Sequence, residues 1–363
     1  MAEISGLRIA ILLPSLHGGG AEFVAVQWGR YLANRGAAVT FLTTHARKEQ
    51  RSEHLPGGWF GGRILALRNR LRAREFDVVL ALAPHWNLIA LLASRMLPGR
   101  PTIAISGRTI ETGARRAGNN KAIELALARI WYRFADAFIA ISHASGAEAQ
   151  TMFSVPTDRL WVVPNPAMGK VSRRSLSSET DVSDSGTLHI VVPGRLTPSK
   201  RPSLAIQVAQ QCAKTSGRPV YLHFFGSGRE EEKARAAVPD DLTTIFHGWV
   251  ENWFDHVPPG AVVLLPSQVE GFANVLVEAA AMGVPSVASS RALGVSDAIV
   301  PGITGQLALS DAPSDYAHAV LAAESIRPGA EIDHWLDRFS AQSSGECLEQ
   351  AIMTAVARRD AER

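Results

Sequence analysis

Short, unbroken apolar runs alternate with stretches of helical period along the chain. The first runs fall at 8–13, 39–43, 78–82, 102–105, 138–141 and 161–163. Runs without polar alternation are what a parallel sheet requires when both its faces are covered. Between the first two, 21–35 sets Val24, Trp28, Tyr31 and Leu32 at helical spacing. After a serine-rich, aperiodic stretch at 172–186, a second series follows at 188–192, 220–225, 243–246, 262–265 and 286–288. Two rounds of βα alternation about a polar joint predict two doubly wound, Rossmann-like α/β domains. Residues 1–168 would form the first domain and 187–335 the second, with a linker at 169–186. From 332 onward the chain reads as helical, with Trp335, Phe339, Leu348, Ile352 and Val356 as apolar positions. The segment 336–363 would be free to cross back to the first domain. Ligands of such sheets bind beyond the carboxyl ends of the strands, so the domains are expected to face a central cleft that holds the site.

Length and composition narrow the class. At 363 residues the chain exceeds one core of ordinary size. Hydrophobic residues make up 46% and charged residues 20%, which excludes a disordered chain. Two cysteines, Cys212 and Cys347, give no disulfide framework and no zinc spacing, and point to a reducing compartment. The most apolar stretch, 86–97, is interrupted by Arg95 and falls short of the roughly 20 residues of a membrane span. The apolar start leads into a glycine loop without a signal-peptide cleavage pattern, so it reads as a core strand and the protein as cytoplasmic.

The net charge of +3 conceals an asymmetry. Residues 1–168 carry 20 Lys and Arg against 11 Asp and Glu; residues 169–363 carry 17 against 23. The basic half lacks the interleaved aromatics of a nucleic-acid module, so nucleic acid is not an expected partner. Arg63, Arg68, Arg70, Arg72 and Arg74 share a stretch with Ile64, Leu65, Leu67 and Leu71. As a helix, that stretch would either suit an anionic membrane surface, making the protein peripheral on the inner face of the plasma membrane, or be a solvated helix packed by its leucines.

Several sites could carry chemistry. Gly18, Gly19 and Gly20 stand between the first strand and first helix, where free amides accept an anion or simply make a tight turn. Their spacing is not the dinucleotide fingerprint. Arg195 and Lys200 lie in the loop after the first strand of the second domain and could converge on a diphosphate, Arg as a fork and Lys as a point charge. In the run Glu270 to Glu278 a helix is expected to begin near Ala273. Glu270 would stand just before it and Glu278 just over one turn inside, with the amides of Gly271, Phe272, Ala273 and Asn274 between them. A glutamate in so apolar a helix argues against simple solvation. The arrangement suits a nucleotide-diphosphate sugar: carboxylates for hydroxyls, amides for phosphates. Gly226 and the backbone at Val250 are weaker candidates, for phosphate and nucleobase. Trp249 is expected to serve packing.

The run EGFANVLVEAAAMGVPSVAS resembles the E-x7-E motif of the family 4 glycosyltransferases of GT-B fold. GRLTPSKRP, FFGSGREEE, VVPNP and LPSLHGGGAEFVAVQWGRYL resemble that family's other blocks in the same order. The resemblance spans most of the chain and is weakest at 44–75, 170–186 and 310–363. It implies that Arg195 and Lys200 bind the donor diphosphate, Glu270 the hexose hydroxyls and Glu278 the ribose. Amides at Phe272 to Val275 would face the phosphates, and Gly19 and Gly20 would close over the sugar and acceptor. It implies retaining transfer of a hexose or N-acetylhexosamine from a UDP- or GDP-sugar to a glycan or lipid-linked acceptor, as in envelope polysaccharide or glycoconjugate synthesis. No cofactor or metal is implied, and no Asp-x-Asp motif occurs. Where many members carry a histidine, this chain has Ser106, Gly107 and Arg108, closer to the Ser-Glu-Arg-Asn form of enzymes that build bacterial lipid-linked or surface glycans. Arg108 is thus a candidate acceptor contact, and His85, expected in the loop after 78–82, is either an acceptor contact or a structural histidine. A catalytically silent partner subunit and a nucleotide-sugar epimerase of the same fold remain as alternatives; a nicotinamide dehydrogenase has the wrong glycine spacing.

Overall fold

A computed structural model describes residues 3–16, 19–44, 52–116 (backbone alone at 114–116), 122–171 and 186–362. Residues 172–185 of the expected linker, and Gly18 of the glycine loop, lie outside the described residues. The chain divides into two compact units. One comprises Met1–Glu111, Asn120–Pro166 and Arg338–Arg363; the other comprises Thr112–Asn119 and Ala167–Asp337.

The first unit runs β1 (Arg8–Leu12), α1 (Gly20–Asn34), β2 (Ala38–Thr43), β3 (Ser52–His54), α2 (Phe60–Arg72), β4 (Val78–Ala81), α3 (Pro84–Ser94) and β5 (Thr102–Gly107). The short α4 (Glu111–Arg116) precedes α5 (Ala122–Trp131), β6 (Ala137–Ala140), α6 (His143–Phe153) and β7 (Leu160–Val162). Its strands form one parallel sheet in the order β3-β2-β1-β4-β5-β6-β7. Alternate residues feed two cores. Ile9, Ile11, Leu80 and Ile139 pack with Val24 and Trp28 of α1, while Leu12, Val79, Ile105 and Phe138 pack with Leu67, Trp86 and Leu125 of α2, α3 and α5.

The second unit runs β8 (Leu188–Pro193), α7 (Pro202–Ser216), β9 (Val220–Phe225), α8 (Glu231–Ala236), β10 (Thr243–Gly248) and β11 (Val262–Leu265). It continues through α9 (Asn274–Ala281), β12 (Ser286–Ser289), β13 (Gly305–Ala308), α10 (Pro313–Ala323) and α11 (Asp333–Asp337). Its parallel sheet has the order β10-β9-β8-β11-β12-β13. Both sheets therefore reverse beside their first strand, the 3-2-1-4-5-6 winding of a dinucleotide-binding sheet.

Two strands escape the apolar pattern. β3 is the polar Ser-Glu-His, and β13 is the half-covered Gly-Gln-Leu-Ala. Both are edge strands, which need no apolar residues on both faces. The helical end is also interrupted. It breaks between α11 and α12 (Ala341–Ala361), where the Ser340 hydroxyl accepts from the Ser343 amide at 3.0 Å as an N-cap. α12 packs on α1: Trp28 Nε1 donates to Ser344 Oγ at 2.8 Å, and Glu349 takes both Tyr31 Oη at 2.9 Å and the Arg35 guanidinium at 3.0 Å. A Cβ on Gly345 would run into the Tyr31 ring, so only glycine allows this approach.

α2 is helical, but its arginines are largely engaged within the fold. Arg63 reaches His85, Arg68 Nη1 donates to the Ala93 and Arg95 carbonyls at 3.0 and 2.7 Å, and Arg70 pairs with Glu53 and Glu75. Arg72 and Arg74 are exposed. No helix of the described residues is long and apolar enough to cross a membrane.

Candidate active site

In the second unit the sheet reverses between β8 and β11, so the loops that follow these strands must diverge around a crevice. Those loops carry Arg195 and Lys200 on one side and Glu270 on the other. The Gln268 amide donates to the Ser199 carbonyl at 2.8 Å, tying one loop to the other. Lys200 Nζ meets Glu270 Oε1 at 2.5 Å. Arg195 and Lys200 line one hollow with Gly194, Leu265 and Pro266. Arg195 is exposed and makes no ion pair among the described residues.

Glycines fix this geometry. A Cβ on Gly226 would strike the Gly194 carbonyl, and one on Gly228 the Leu196 carbonyl, so the loop after β9 lies directly on the Arg195 loop. The amides of Gly194 and Leu196 donate to the carbonyls of Phe225 and Ser227 at 2.8 and 3.0 Å. Gly226 also bridges Gly248 at the end of β10. Val250, two residues on, is half-buried, whereas Trp249 is 70% exposed. That corrects the packing role expected for Trp249, which follows β10, an edge strand of the sheet. Gly294 plays a part that no motif marked, since a Cβ there would collide with the Glu270 and Gly271 carbonyls.

α9 begins at Asn274, preceded by Ala273 at φ 78° in the left-handed region, a costly conformation for a residue with a Cβ. Ala273 has no side chain that could cap the amides of α9. Gly271 and Phe272 are buried, while Ala273, Asn274 and Val275 are partly exposed. Glu278 is buried, and its carboxylate accepts from Trp253 Nε1 at 2.9 Å. Burial pushes its carboxyl group above the usual carboxylate range; the Trp253 bond and the Lys170 charge oppose that.

A histidine row crosses the same sheet. His189 Nδ1 lies 3.1 Å from His223 Nε2, and His223 Nδ1 lies 3.2 Å from His247 Nε2, whose ring stacks on Phe225 at 4.1 Å. Burial, then the two neighbouring histidines, push His223 down to about 4. The three residues are far apart in sequence, and only strand register brings them together.

The remaining candidates belong to the first unit. Gly19 is the extended N-cap of α1, with Gly20 opening the helix. His85 sits in the first turn of α3 rather than in the preceding loop, because Pro84 starts the helix. Its Nε2 lies 3.2 Å from Arg63 Nη1 and its ring packs on Phe60 at 5.1 Å, so it is built into the α2–α3 contact. Arg108 follows β5, with its guanidinium 5.4 Å from the Trp28 ring. Among the described residues, no group of three His, Cys, Asp or Glu side chains is placed to hold a metal.

Residues 18–167 match the family model described as Glycosyltransferase Family 4, and residues 187–324 match that of Glycosyl transferases group 1. The chain is 28% identical over 151 residues to the lipopolysaccharide 1,6-galactosyltransferase of Escherichia coli K12, covering 38% of this chain and 41% of that protein. It is 28% identical over 213 residues to the D-inositol 3-phosphate glycosyltransferase of Gordonia bronchialis, covering 51% and 44%. The chain thus spans under half the length of these two relatives. Among solved structures, the lipopolysaccharide outer core galactosyltransferase WaaB in its apo form superposes with a TM-score of 0.75 at 20% identity, over 96% of this chain and 99% of that one. Anabaena Alr3699/HepE in complex with UDP and glucose superposes with a TM-score of 0.67 at 18% identity, over 98% of each chain. With both halves matched and both sheets wound alike, the chain belongs to the family 4 glycosyltransferases of GT-B fold.

Proposed function

We propose that this chain moves a hexose or N-acetylhexosamine from a nucleotide-diphosphate sugar to a glycan or lipid-linked acceptor, with retention of anomeric configuration. One observation carries the reading: Lys200 and Glu270 meet in the crevice where the second sheet reverses, beside the exposed cation of Arg195. Arg195 and Lys200 then take the diphosphate, Glu270 the sugar hydroxyls and the buried Glu278 the ribose. The amides from Phe272 to Val275, with the backbone at Gly226 and Val250, complete the donor contacts. The similarity to a galactosyltransferase and the UDP and glucose bound to HepE favour UDP and a hexose as the first pair to try.

In the reaction, the bond from the anomeric carbon to the phosphate oxygen breaks, and the acceptor hydroxyl oxygen bonds to that carbon on the same face. The acceptor proton passes to the departing phosphate. No protein nucleophile and no metal takes part. Arg195 and Lys200 stabilise the charge growing on the diphosphate, a preorganised interaction worth about a hundredfold or more in rate. The test is release of UDP from UDP-galactose and UDP-glucose with a lipid-linked glycan acceptor. Turnover by wild type that survives in Arg195→Ala and Lys200→Ala alike would remove the assignment.

A membrane surface is a second partner supported by a specific feature. α5 buries Leu125 and Ala128 on one side and exposes Ile123 (79%) and Ile130 (52%) on the other. Arg95 lies 4.9 Å from the Trp131 ring and Arg133 lies 5.0 Å from the exposed Phe134. Apolar tips set among cations suit an anionic bilayer and would bring a lipid-linked acceptor to the enzyme, held at the cytoplasmic face.

A further inference from the structure

Three histidines of the second unit touch in a row, and the proposed reaction uses none of them. His189 Nδ1 lies 3.1 Å from His223 Nε2, and His223 Nδ1 lies 3.2 Å from His247 Nε2. Each contact holds one hydrogen, because facing lone pairs or facing N–H groups repel at that distance. A neutral imidazole carries one N–H, so the neutral row has three hydrogens. Two fill the contacts, and the third sits on an outer nitrogen, His189 Nε2 or His247 Nδ1. One added proton completes the other outer nitrogen. Shifts of the inner hydrogens then spread its charge over all three rings. A second proton would set N–H against N–H and break a contact. The row is a one-proton acceptor.

The exposed end of the row reaches the crevice. His223 is buried and His189 half-buried, whereas His247 is exposed. Register between β9 and β10 slips between Phe246 and Gly248, so His247 is the extra residue of a bulge. Its ring lies flat on Phe225, 4.1 Å away and 1° from parallel. The Phe225 carbonyl in turn accepts from the Gly194 amide at 2.8 Å, and Gly194 and Arg195 line the crevice. Burial pushes all three histidines below their ordinary 6.5. Tyr221 of β9, 5.3 Å from His189, and His256, in the single turn Trp253–His256, are the other titratable groups set against the row. His256 adds to the push on His247, and no carboxylate of the described residues offsets it for any of the three.

We propose that the row His189–His223–His247 takes up one proton when the nucleotide-diphosphate sugar binds, and adds its positive charge to the groups that hold the diphosphate. The proposal rests on the reading of the crevice as the donor site. Without the diphosphate, burial disfavours the charged row; the negative charge of the diphosphate offsets that cost. The proton comes from water through the exposed His247. By linkage, a ligand that strengthens proton binding is itself bound more tightly by the protonated form, by the same factor. Donor binding therefore tightens as pH falls below 6.5, the ordinary histidine value.

The experiment is calorimetric titration of the full chain with UDP-glucose, which has no group of its own titrating between pH 5 and 8. It is run at pH 5.5 and pH 8, and at pH 6 in two buffers of different ionisation enthalpy. Wild type should bind about threefold or more tightly at pH 5.5 than at pH 8, and should draw up to one proton from the buffer. His247→Phe keeps a ring on Phe225 and removes the row's end at the crevice. It should bind within about twofold of wild type at pH 8 and lose the gain at pH 5.5. With UDP-glucose bound, the ring nitrogens of His189, His223 and His247 should shift at one common midpoint in nitrogen-15 NMR. Equal affinity of wild type at both pH values, uptake of more than one proton, or a gain that survives in His247→Phe would overturn the proposal. Three separate midpoints would overturn the shared proton. No binding of UDP-glucose at either pH would overturn the proposed function and the coupling together, whereas equal binding at both overturns the coupling alone.

Discussion

Trp253 holds Glu278 by a single indole hydrogen bond of 2.9 Å inside the second unit. Glu278 pays for its burial with a raised carboxyl pKa, so its ionised form lowers the stability of the ligand-free chain. Glu278→Gln should therefore raise Tm, by the equivalent of about 1 kcal/mol, while weakening nucleotide-sugar binding tenfold or more. Thermal melting and calorimetry with UDP read the two effects. Lower stability together with unchanged binding would contradict both halves.

Trp253→Phe tests the positioning separately. It keeps an aromatic six-membered ring but removes the pyrrole ring with its N–H, leaving a buried carboxylate one partner short, at a cost of about 1–3 kcal/mol. KM for the donor should rise at least fivefold with kcat little changed, because the ribose contact is made in ground and transition states alike.

The Lys200–Glu270 pair predicts strong coupling. Each side chain neutralises the other at 2.5 Å, so removing one leaves its partner misplaced and half-buried. Lys200→Ala and Glu270→Ala should each cost about a hundredfold in kcat/KM, and the double variant far less than the product of the two. Additive losses in a double-mutant cycle would show that the two groups act independently.

Gly226→Ala should disrupt the donor loop, since the new Cβ would meet the Gly194 carbonyl at a φ of 146° that disfavours any side chain. The expected cost is about 2–3 kcal/mol in urea unfolding, with loss of UDP binding. Gly217→Ala, also at positive φ but with open space around it, should cost about 1 kcal/mol and leave binding intact.

The histidine row predicts acid sensitivity. His223 is held near 4 in the fold, below its ordinary 6.5. Between these values the unfolded chain binds the proton and the folded one does not, so stability falls as pH drops from 6.5 to 4 and is flat in this respect above 6.5. The loss should be roughly 1–3 kcal/mol, and His223→Gln should reduce it. Urea unfolding at pH 7 and pH 5 gives the comparison.

For the membrane reading, Ile123→Glu with Ile130→Glu should abolish flotation with anionic vesicles and leave UDP binding as it was. Wild type that stays in solution with the same vesicles at low salt would remove that partner.

Much of this protein was written in its hydrophobic pattern. A strand covered on both faces has to be an apolar run, so the interior strands of both sheets are legible in the sequence. β3 and β13 were not, because an edge strand is under no such demand. Motif spacing also marked Arg195, Lys200, Glu270 and Glu278, since residues close in sequence share one loop or one helix turn. Partnership between distant residues was hidden. That Lys200 bonds Glu270, that Trp253 holds Glu278 and that three histidines join across strands depends on which strands are neighbours, and order within a sheet is a property of the whole packed chain. The same holds for α2 and Arg108. Sequence offered the α2 arginines as a basic face and Arg108 as an acceptor contact; packing tied up Arg63, Arg68 and Arg70 and enclosed two nitrogens of Arg108, because burial and pairing are decided by what the rest of the fold brings alongside.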